Sequence, residues 1–320
     1  MVLSRAALGR SWRSSQKRMP NFLSRSRLIV GTSVLVLLVV VAIVVVIAVG
    51  GSKPTVTVST TKPLSVVAGP AGIVSGSTPD PSGRSWVLVN VNGKANLQAI
   101  DVSSGKITGA VPLSSQARIV TVAAGGEIGV GIRQANTGAV QFYSGQGFNP
   151  LGTVALSGPV EDLVAGSNGT SFYALVDVKG AYSVSVINAK SLHVTGIIPM
   201  PSTTLSIAVS PDLTTIYSLQ ANGDVQIVDA QTGKVIQALP SAAGGRQIVL
   251  SADGATLYVL KGSMADDNVS VINIATQSTV SVLPAPSDTS WIEPSLDGTR
   301  LIDFVGTSKI GNVQTFLTHR

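Results

Sequence analysis

The segment Ser251-Ala252-Asp253-Gly254-Ala255-Thr256-Leu257-Tyr258-Val259-Leu260 decides the fold, because it joins a tight polar turn to an apolar run. Aspartate followed by glycine suits a turn, and the apolar run is typical of a buried strand. Equivalent turn positions return along the chain every 41 to 44 residues. They are Gly83, Gly126, Gly169, Leu213, Gly254 and Gly298. A fixed period of this length predicts a repeat architecture.

Each repeat contains four short β-strands. The segments Val225–Asp229 and Val269–Asn273 alternate apolar with polar residues, which is typical of strands. The turn Thr232-Gly233-Lys234 leads into a further strand at 235–239, and an apolar strand such as 248–250 precedes each turn position. Four strands in about 43 residues predict the blade of an all-β propeller. One blade cannot bury both faces of its sheet, so blades must pack radially.

The predicted propeller has about six blades between residues 64 and 320, with seven as the alternative. The last repeat stops after its third strand, so a fourth strand must come from elsewhere. Residues 55–60, Thr-Val-Thr-Val-Ser-Thr, alternate correctly and lie just before the first repeat. We expect this segment to pair with the last blade and close the ring. The alternative is a disordered, threonine-rich stalk over residues 51–63.

Two repeats resemble a known family. Ser210–Tyr217 together with Gly223–Asp229 resembles the bacterial YVTN-type β-propeller repeat. Ser251–Val259 with Asn268–Asn273 is similar to a second copy, and Asp101–Ile107 is similar to the end of another. The resemblance spans roughly residues 75 to 317. It implies a propeller in an extracytoplasmic setting but no single activity, since such blades serve as binding scaffolds and, in related rings, as lactonases or dehydrogenases.

A membrane segment precedes the repeats. Leu28–Val49 is an uncharged run of 22 residues, which as a helix spans about 33 Å and crosses a bilayer core. We predict a signal-anchor helix at 28–50. Residues 1–27 hold seven basic residues and no acid, so the positive-inside rule places this tail in the cytoplasm and the propeller outside. The alternative is a cleaved signal peptide, although its apolar region is usually only about 7 to 15 residues.

Composition limits the partners and the chemistry. Beyond residue 27 the chain has 15 basic and 16 acidic residues, so the predicted ectodomain lacks the charge expected of a nucleic-acid-binding protein. The chain has no cysteine, which excludes disulfides and thiol nucleophiles. Its two histidines, His193 and His319, fall at different positions of the repeat. We therefore expect no cofactor, no metal and no catalytic residue of these types, and the lipid bilayer as a partner of residues 28–50.

The candidate site comes from the repeat itself. Counting back eight and seven residues from each turn position reaches the start of the innermost strand of each blade, which borders the mouth of the central channel. The polar or aromatic residues predicted there to bind a ligand are Arg118, Glu161, Asp162, Arg246, Gln247 and Trp291. Such a rim suits a small polar ligand or an ion. The alternative is mutual salt bridging that only orders the channel.

Three further acidic residues lie near the predicted channel or its loops. Asp266 and Asp267 lie in an enlarged loop, where a solvated turn is favoured over a Ca²⁺ site because three oxygen-bearing side chains in a row supply too few ligands. Glu293, before Pro294, either points into the channel or marks a bend in its strand.

These features favour a membrane-anchored, extracytoplasmic propeller that acts as a non-catalytic binding module at the cell surface. It would bind a protein or cell-envelope partner through its rim loops, since loops on a rigid frame commonly carry binding sites. One alternative is an enzyme of the lactonase or hydrolase type with its site at the channel mouth. Another is a structural scaffold for a membrane or envelope complex.

Overall fold

The computed structural model describes residues 57–58, 63–80, 82–239, 243–262, 267–307, 309 and 311–318. Within these ranges the chain forms β-strands and no helix. No helix in this part of the chain has the length and hydropathy to span a membrane. The predicted tail 1–27 and membrane helix 28–50 lie outside the described residues.

The strands are numbered in chain order. They are β1 (Thr57–Val58), β2 (Ser65–Gly69), β3 (Ile73–Gly76), β4 (Arg84–Val91), β5 (Lys94–Asp101), β6 (Ile107–Leu113), β7 (Ala117–Val122), β8 (Glu127–Arg133), β9 (Gly138–Ser144), β10 (Pro150–Leu156), β11 (Val160–Ala165), β12 (Ser171–Val178), β13 (Ala181–Asn188), β14 (His193–Pro199), β15 (Thr204–Val209), β16 (Thr215–Gln220), β17 (Val225–Asp229), β18 (Val235–Leu239), β19 (Gly245–Leu250), β20 (Thr256–Lys261), β21 (Asn268–Asn273), β22 (Ser278–Pro284), β23 (Thr289–Pro294), β24 (Arg300–Gly306) and β25 (Gly311–Leu317).

These strands build a six-bladed β-propeller of four-stranded blades, which confirms the propeller part of the predicted fold and excludes the seven-bladed alternative. The first five blades are β3–β6, β7–β10, β11–β14, β15–β18 and β19–β22, each an antiparallel meander with its first strand innermost. The sixth blade has the order β2-β25-β24-β23. Its innermost strand β23 packs against β3 of the first blade, so first and last blades meet.

Ring closure uses a different segment from the predicted one. The outer strand of the sixth blade is β2, which pairs antiparallel with β25. Of the predicted closing segment 55–60, the structure describes Thr57 and Val58, and these pair in parallel with β22 of the fifth blade. The reason is connection length. Three residues link β2 to β3, as three to five link the other blades, whereas a closing strand at 55–60 would need a far longer link.

The core consists of apolar clusters between consecutive blades. Between the second and third blades, the rings of Phe142 and Phe172 meet edge to face with their centroids 5.0 Å apart. At the closing joint, Phe304 of the sixth blade packs over Gly76 of the first, where a Cβ would lie within 2.6 Å of the ring. The glycine therefore permits the close approach of the two blades that complete the ring.

The closing strand can be tested by proline substitution. Val67 of β2 lies opposite Val313 of β25. Proline cannot donate to the ladder, so Val67→Pro should lower the free energy of unfolding by about 3 kcal/mol in urea titrations. Val58→Pro is the matched control, because β1 lies outside the four-stranded blades, and it should cost far less. Equal losses from the two substitutions would contradict closure by β2.

Candidate functional site

Every innermost strand carries a β-bulge at the same place. The ladder to the second strand shifts between Ile73 and Ser75, Ala117 and Ile119, Val160 and Asp162, Thr204 and Ser206, Gly245 and Gln247, and Thr289 and Trp291. A bulge inserts one residue that has no partner on the neighbouring strand, and it re-aims the side chain of that residue. The bulged residues include exposed Arg118 and half-buried Glu161 and Arg246, whereas the next residues, Asp162 and Gln247, are buried.

The residue after each bulge occupies what we call the clamp position, and the innermost strands around the channel form the hub. At four joints, side chains at the clamp position form hydrogen bonds to the next blade. Asp162 Oδ2 accepts hydrogen bonds from the backbone N–H of Ile207 at 2.8 Å and from Ser206 Oγ at 2.7 Å, both in the fourth blade. Ser206 Oγ in turn accepts the N–H of Ile248 at 3.1 Å. These strands have one free edge facing the channel, so each clamp satisfies a backbone donor that otherwise lacks a partner.

The same contact recurs at two other joints. Ser75 Oγ accepts the N–H of Val120 at 3.1 Å. Gln247 does more, since its Oε1 accepts the N–H of Ile292 at 2.9 Å and its Nε2 donates to the carbonyl of Ile292 at 3.0 Å. Four of the six joints are thus clamped from the same position of the repeat.

Asp162 compensates for a joint that lacks a clamp. The second blade has Ile119 at the clamp position, and an isoleucine side chain cannot accept a hydrogen bond. The N–H of Leu163 is instead accepted at 2.8 Å by Oδ1 of the adjacent Asp162. Burial raises the pKa of Asp162 to about 6 although these hydrogen bonds oppose the rise. Both carboxylate oxygens of Asp162 are therefore engaged, Oδ2 with the fourth blade and Oδ1 with the backbone of its own strand.

Glu293 joins the sixth blade to the first. Its Oε1 accepts a hydrogen bond from Trp291 Nε1 at 2.8 Å, and its Oε2 accepts one from Thr78 Oγ1 at 3.0 Å. Burial raises the pKa of Glu293 to about 7, the two hydrogen bonds oppose this, and the charge of Asp162 adds to it. Glu293 therefore points into the hub and does not only mark a bend in its strand. It also accepts the hydrogen bond of the Trp291 indole N–H, which is then not available to a ligand.

Arg246 lies at the joint between the fifth and sixth blades. Its Nη2 donates to Asp267 Oδ2 at 2.8 Å and to the carbonyl of Thr289 at 2.7 Å. The side chain of Asp267 is 0% exposed. The prediction of a solvated turn was therefore wrong for Asp267, because its ion pair with Arg246 draws the carboxylate into the joint.

A cleft opens between the second and third blades. It has a volume of about 470 Å³ and is lined by Arg118, Arg133, Gln134, Ala135, Pro159, Glu161 and Asp177. Arg133 Nη2 lies 3.1 Å from Glu161 Oε1. Arg118 Nη1 donates to two backbone carbonyls, those of Ser115 and Ala117, each at 2.8 Å. Burial raises the pKa of Glu161, Arg133 opposes that rise, and Asp177 adds to it.

The six predicted residues thus separate into three places. Arg118 and Glu161 share the cleft, Asp162, Gln247 and Trp291 lie at the hub, and Arg246 lies at the joint of the fifth and sixth blades. Sequence reasoning missed Arg133 and Asp177, which end or nearly end second strands next to the bulges. His193 is exposed, and His319 lies outside the described residues. Within the described ranges, no three acidic, histidine or cysteine side chains gather to hold a metal.

The fold and this geometry define a six-bladed β-propeller whose innermost strands are joined by side-chain hydrogen bonds. No family model matches the sequence, and no curated protein matches it. Among solved structures, the chain is similar to hydrazine synthase from Kuenenia stuttgartiensis, with a TM-score of 0.57 and 15% identity over 79% of this chain and 77% of that one. In all, 1744 solved chains match. A likeness shared so widely at such low identity shows the fold alone.

The clamp assigned to Asp162 predicts a large stability loss on truncation. Asp162→Ala leaves two backbone donors and one hydroxyl without their acceptor, so the free energy of unfolding should fall by about 3 kcal/mol. Arg118→Ala, at the exposed bulged residue of the second blade, should change the free energy of unfolding by less than about 0.5 kcal/mol. Urea titration measures both, and similar values for the two variants would contradict the clamp.

Proposed function

We propose that this chain is a membrane-anchored, extracytoplasmic β-propeller that acts as a non-catalytic binding module at the cell surface. Its partner, a protein or a cell-envelope component, binds the face that carries the loops between second and third strands and the links between blades. The cleft between the second and third blades is the observation that supports this proposal most directly.

The charges of the cleft suit the recognition of a polar surface. Two guanidinium groups and two carboxylates line it, and the Arg133 side chain is 55% exposed although it pairs with Glu161. Two carbonyls hold one nitrogen of Arg118, which fixes the orientation of its remaining N–H groups. Exposed, oriented arginines with adjacent acids favour a partner that carries charges of both signs, because complementary charge gives specificity and correct register.

The hub weighs against the enzymatic alternative. A catalytic acid or base must reach a substrate. Asp162, Gln247 and Glu293 instead direct their polar atoms to neighbouring strands or side chains within hydrogen-bond distance. The described polar groups of the hub therefore serve the assembly of the ring, and the open cleft at the rim is the better candidate for recognition.

Site-specific photocrosslinking in cells tests the cleft. A photoreactive amino acid in place of Gln134 should give discrete adducts, and Arg118→Ala with Arg133→Ala should reduce them at least about tenfold because two charged contacts are removed. The same probe in place of exposed Leu296, in a turn at the opposite ends of the strands, is the control and should not give these adducts. Adducts that persist in the double variant would exclude the cleft and favour a scaffold that associates elsewhere.

The membrane anchor at 28–50 is tested separately. The chain should remain in the membrane fraction after an alkaline carbonate wash, because a spanning helix is not removed by disrupting peripheral contacts. Protease added to intact cells or spheroplasts should digest the propeller and leave the tail 1–27 protected. A mature chain whose N-terminus begins near residue 50 would establish the cleaved signal peptide instead.

A further inference from the structure

Asp303 breaks the pattern of the repeat. It lies on β24 opposite Ile292 of the inner strand. The residues at the corresponding position of the other five blades are Val87, Val130, Ala174, Ser218 and Val259. They are apolar or small and carry no charge, so a carboxyl group at this position is particular to the sixth blade.

The carboxyl group of Asp303 is enclosed by the joint between the fifth and sixth blades. The residue is 1% exposed, and neither carboxylate oxygen has a hydrogen-bond partner within the part of the chain that the structure describes. Leu301, two residues earlier on the same strand face, packs in one apolar cluster with Ile292 and with Leu260 of the fifth blade. A buried polar group without a partner is rare and calls for an explanation.

Few charged groups accompany Asp303 at this joint. Arg246 comes from β19 and Asp267 precedes β21, while β20 contributes Tyr258 and, at its end, Lys261. Strands β22 and β25 contain no ionisable residue. On β23, the carboxylate of Glu293 bonds to Thr78 of the first blade and so serves the other joint. Arg246 is already bound to Asp267 and to the carbonyl of Thr289.

Charge balance then favours a proton on Asp303. Arg246 neutralises Asp267, so an ionised Asp303 would leave one uncompensated negative charge in the interior, which is strongly unfavourable. Burial, reinforced by the charge of Asp267, raises the pKa of Asp303 to about 8. A Ca²⁺ ion would need about six to eight oxygen ligands, and among the described residues no three acidic or histidine side chains gather to hold a metal. A proton needs no such shell.

We propose that the joint between the fifth and sixth blades is a pH-sensitive latch, closed while Asp303 is protonated and loosened when Asp303 ionises. Among the described residues the buried Nε–H of Arg246 also has no hydrogen-bond acceptor, so it is the donor that an ionised Asp303 would attract. If the Arg246 side chain turns towards Asp303, its guanidinium leaves the carbonyl of Thr289. The fifth and sixth blades then lose this contact and separate at this end of the joint.

The direction of the pH effect follows from linkage. In the unfolded chain Asp303 titrates near its ordinary value, 3.8. Because the folded state binds this proton more tightly, the stability that it contributes is fully present below about pH 4 and is lost as the pH rises through about 8. Between pH 6 and pH 9, the unfolding equilibrium constant should rise roughly a hundredfold through Asp303 alone.

Urea unfolding of the full chain, followed by tryptophan fluorescence at pH 6 and pH 9, tests the latch. Asp303→Asn removes the titration at nearly unchanged volume, and Asp303→Val installs the residue found in three other blades. Asp162 and Glu293, whose pKa values are also raised, titrate in every variant, so the rise in the unfolding equilibrium constant should be about a hundredfold smaller in both variants than in the wild type. If either folded variant keeps the wild-type pH dependence, the latch is overturned.

Hydrogen exchange locates the effect. At pH 9, the N–H of Ile292 should lose at least tenfold more protection in the wild type than in Asp303→Asn, whereas Leu163, at the joint of the second and third blades, should not differ. Equal loss at both joints would contradict a local latch. A Ca²⁺-dependent rise in wild-type stability that Asp303→Asn abolishes would also overturn it, in favour of a metal site.

Discussion

The free inner edges of the blades impose the constraint on which the rest of this structure depends. Each innermost strand is paired on one side only, so backbone donors on its other side face the channel. Side chains of the preceding blade accept these donors at four joints, as Asp162 does for Ile207 and Gln247 for Ile292. Apolar clusters hold the blades face to face. At the four clamped joints, these hydrogen bonds also fix the register of one innermost strand relative to the next.

Residues that hold the blades together therefore occupy different positions from the residues of the cleft and from Asp303. The described polar groups of the hub form hydrogen bonds with neighbouring blades, so their role is to stabilise the ring. The bulged residue comes one position earlier in the repeat. In the second and third blades it is Arg118 and Glu161, which line the cleft. The joint between the fifth and sixth blades holds a buried carboxyl group, Asp303, neither of whose oxygens has a hydrogen-bond partner in the described part of the chain.

Much of the fold could be predicted from the sequence, because turn positions and strand alternation repeat with nearly constant spacing. The closing strand was misplaced because residues 55–60 alternate regularly, whereas residues 65–69, Ser-Val-Val-Ala-Gly, do not, and the short link to β3 is the feature that favours 65–69. The candidate site was predicted in part. A count along the sequence cannot show a bulge, which leaves Arg118 unpaired and exposed while Ile119 is buried. Arg133 and Asp177 were missed because they come from second strands. Asp303 was missed because only the strand register shows that the corresponding residues of the other blades are uncharged.

The measurement that tests this account most directly is residue-resolved hydrogen exchange at the channel-facing amides. The N–H groups of Val120, Ile207, Ile248 and Ile292 belong to free strand edges, yet each donates to a side chain of the preceding blade. The account predicts strong protection at all four, and loss of protection at Ile207 in Asp162→Ala. Rapid exchange at these positions in the wild type, at the rate of unpaired edge amides, would contradict it.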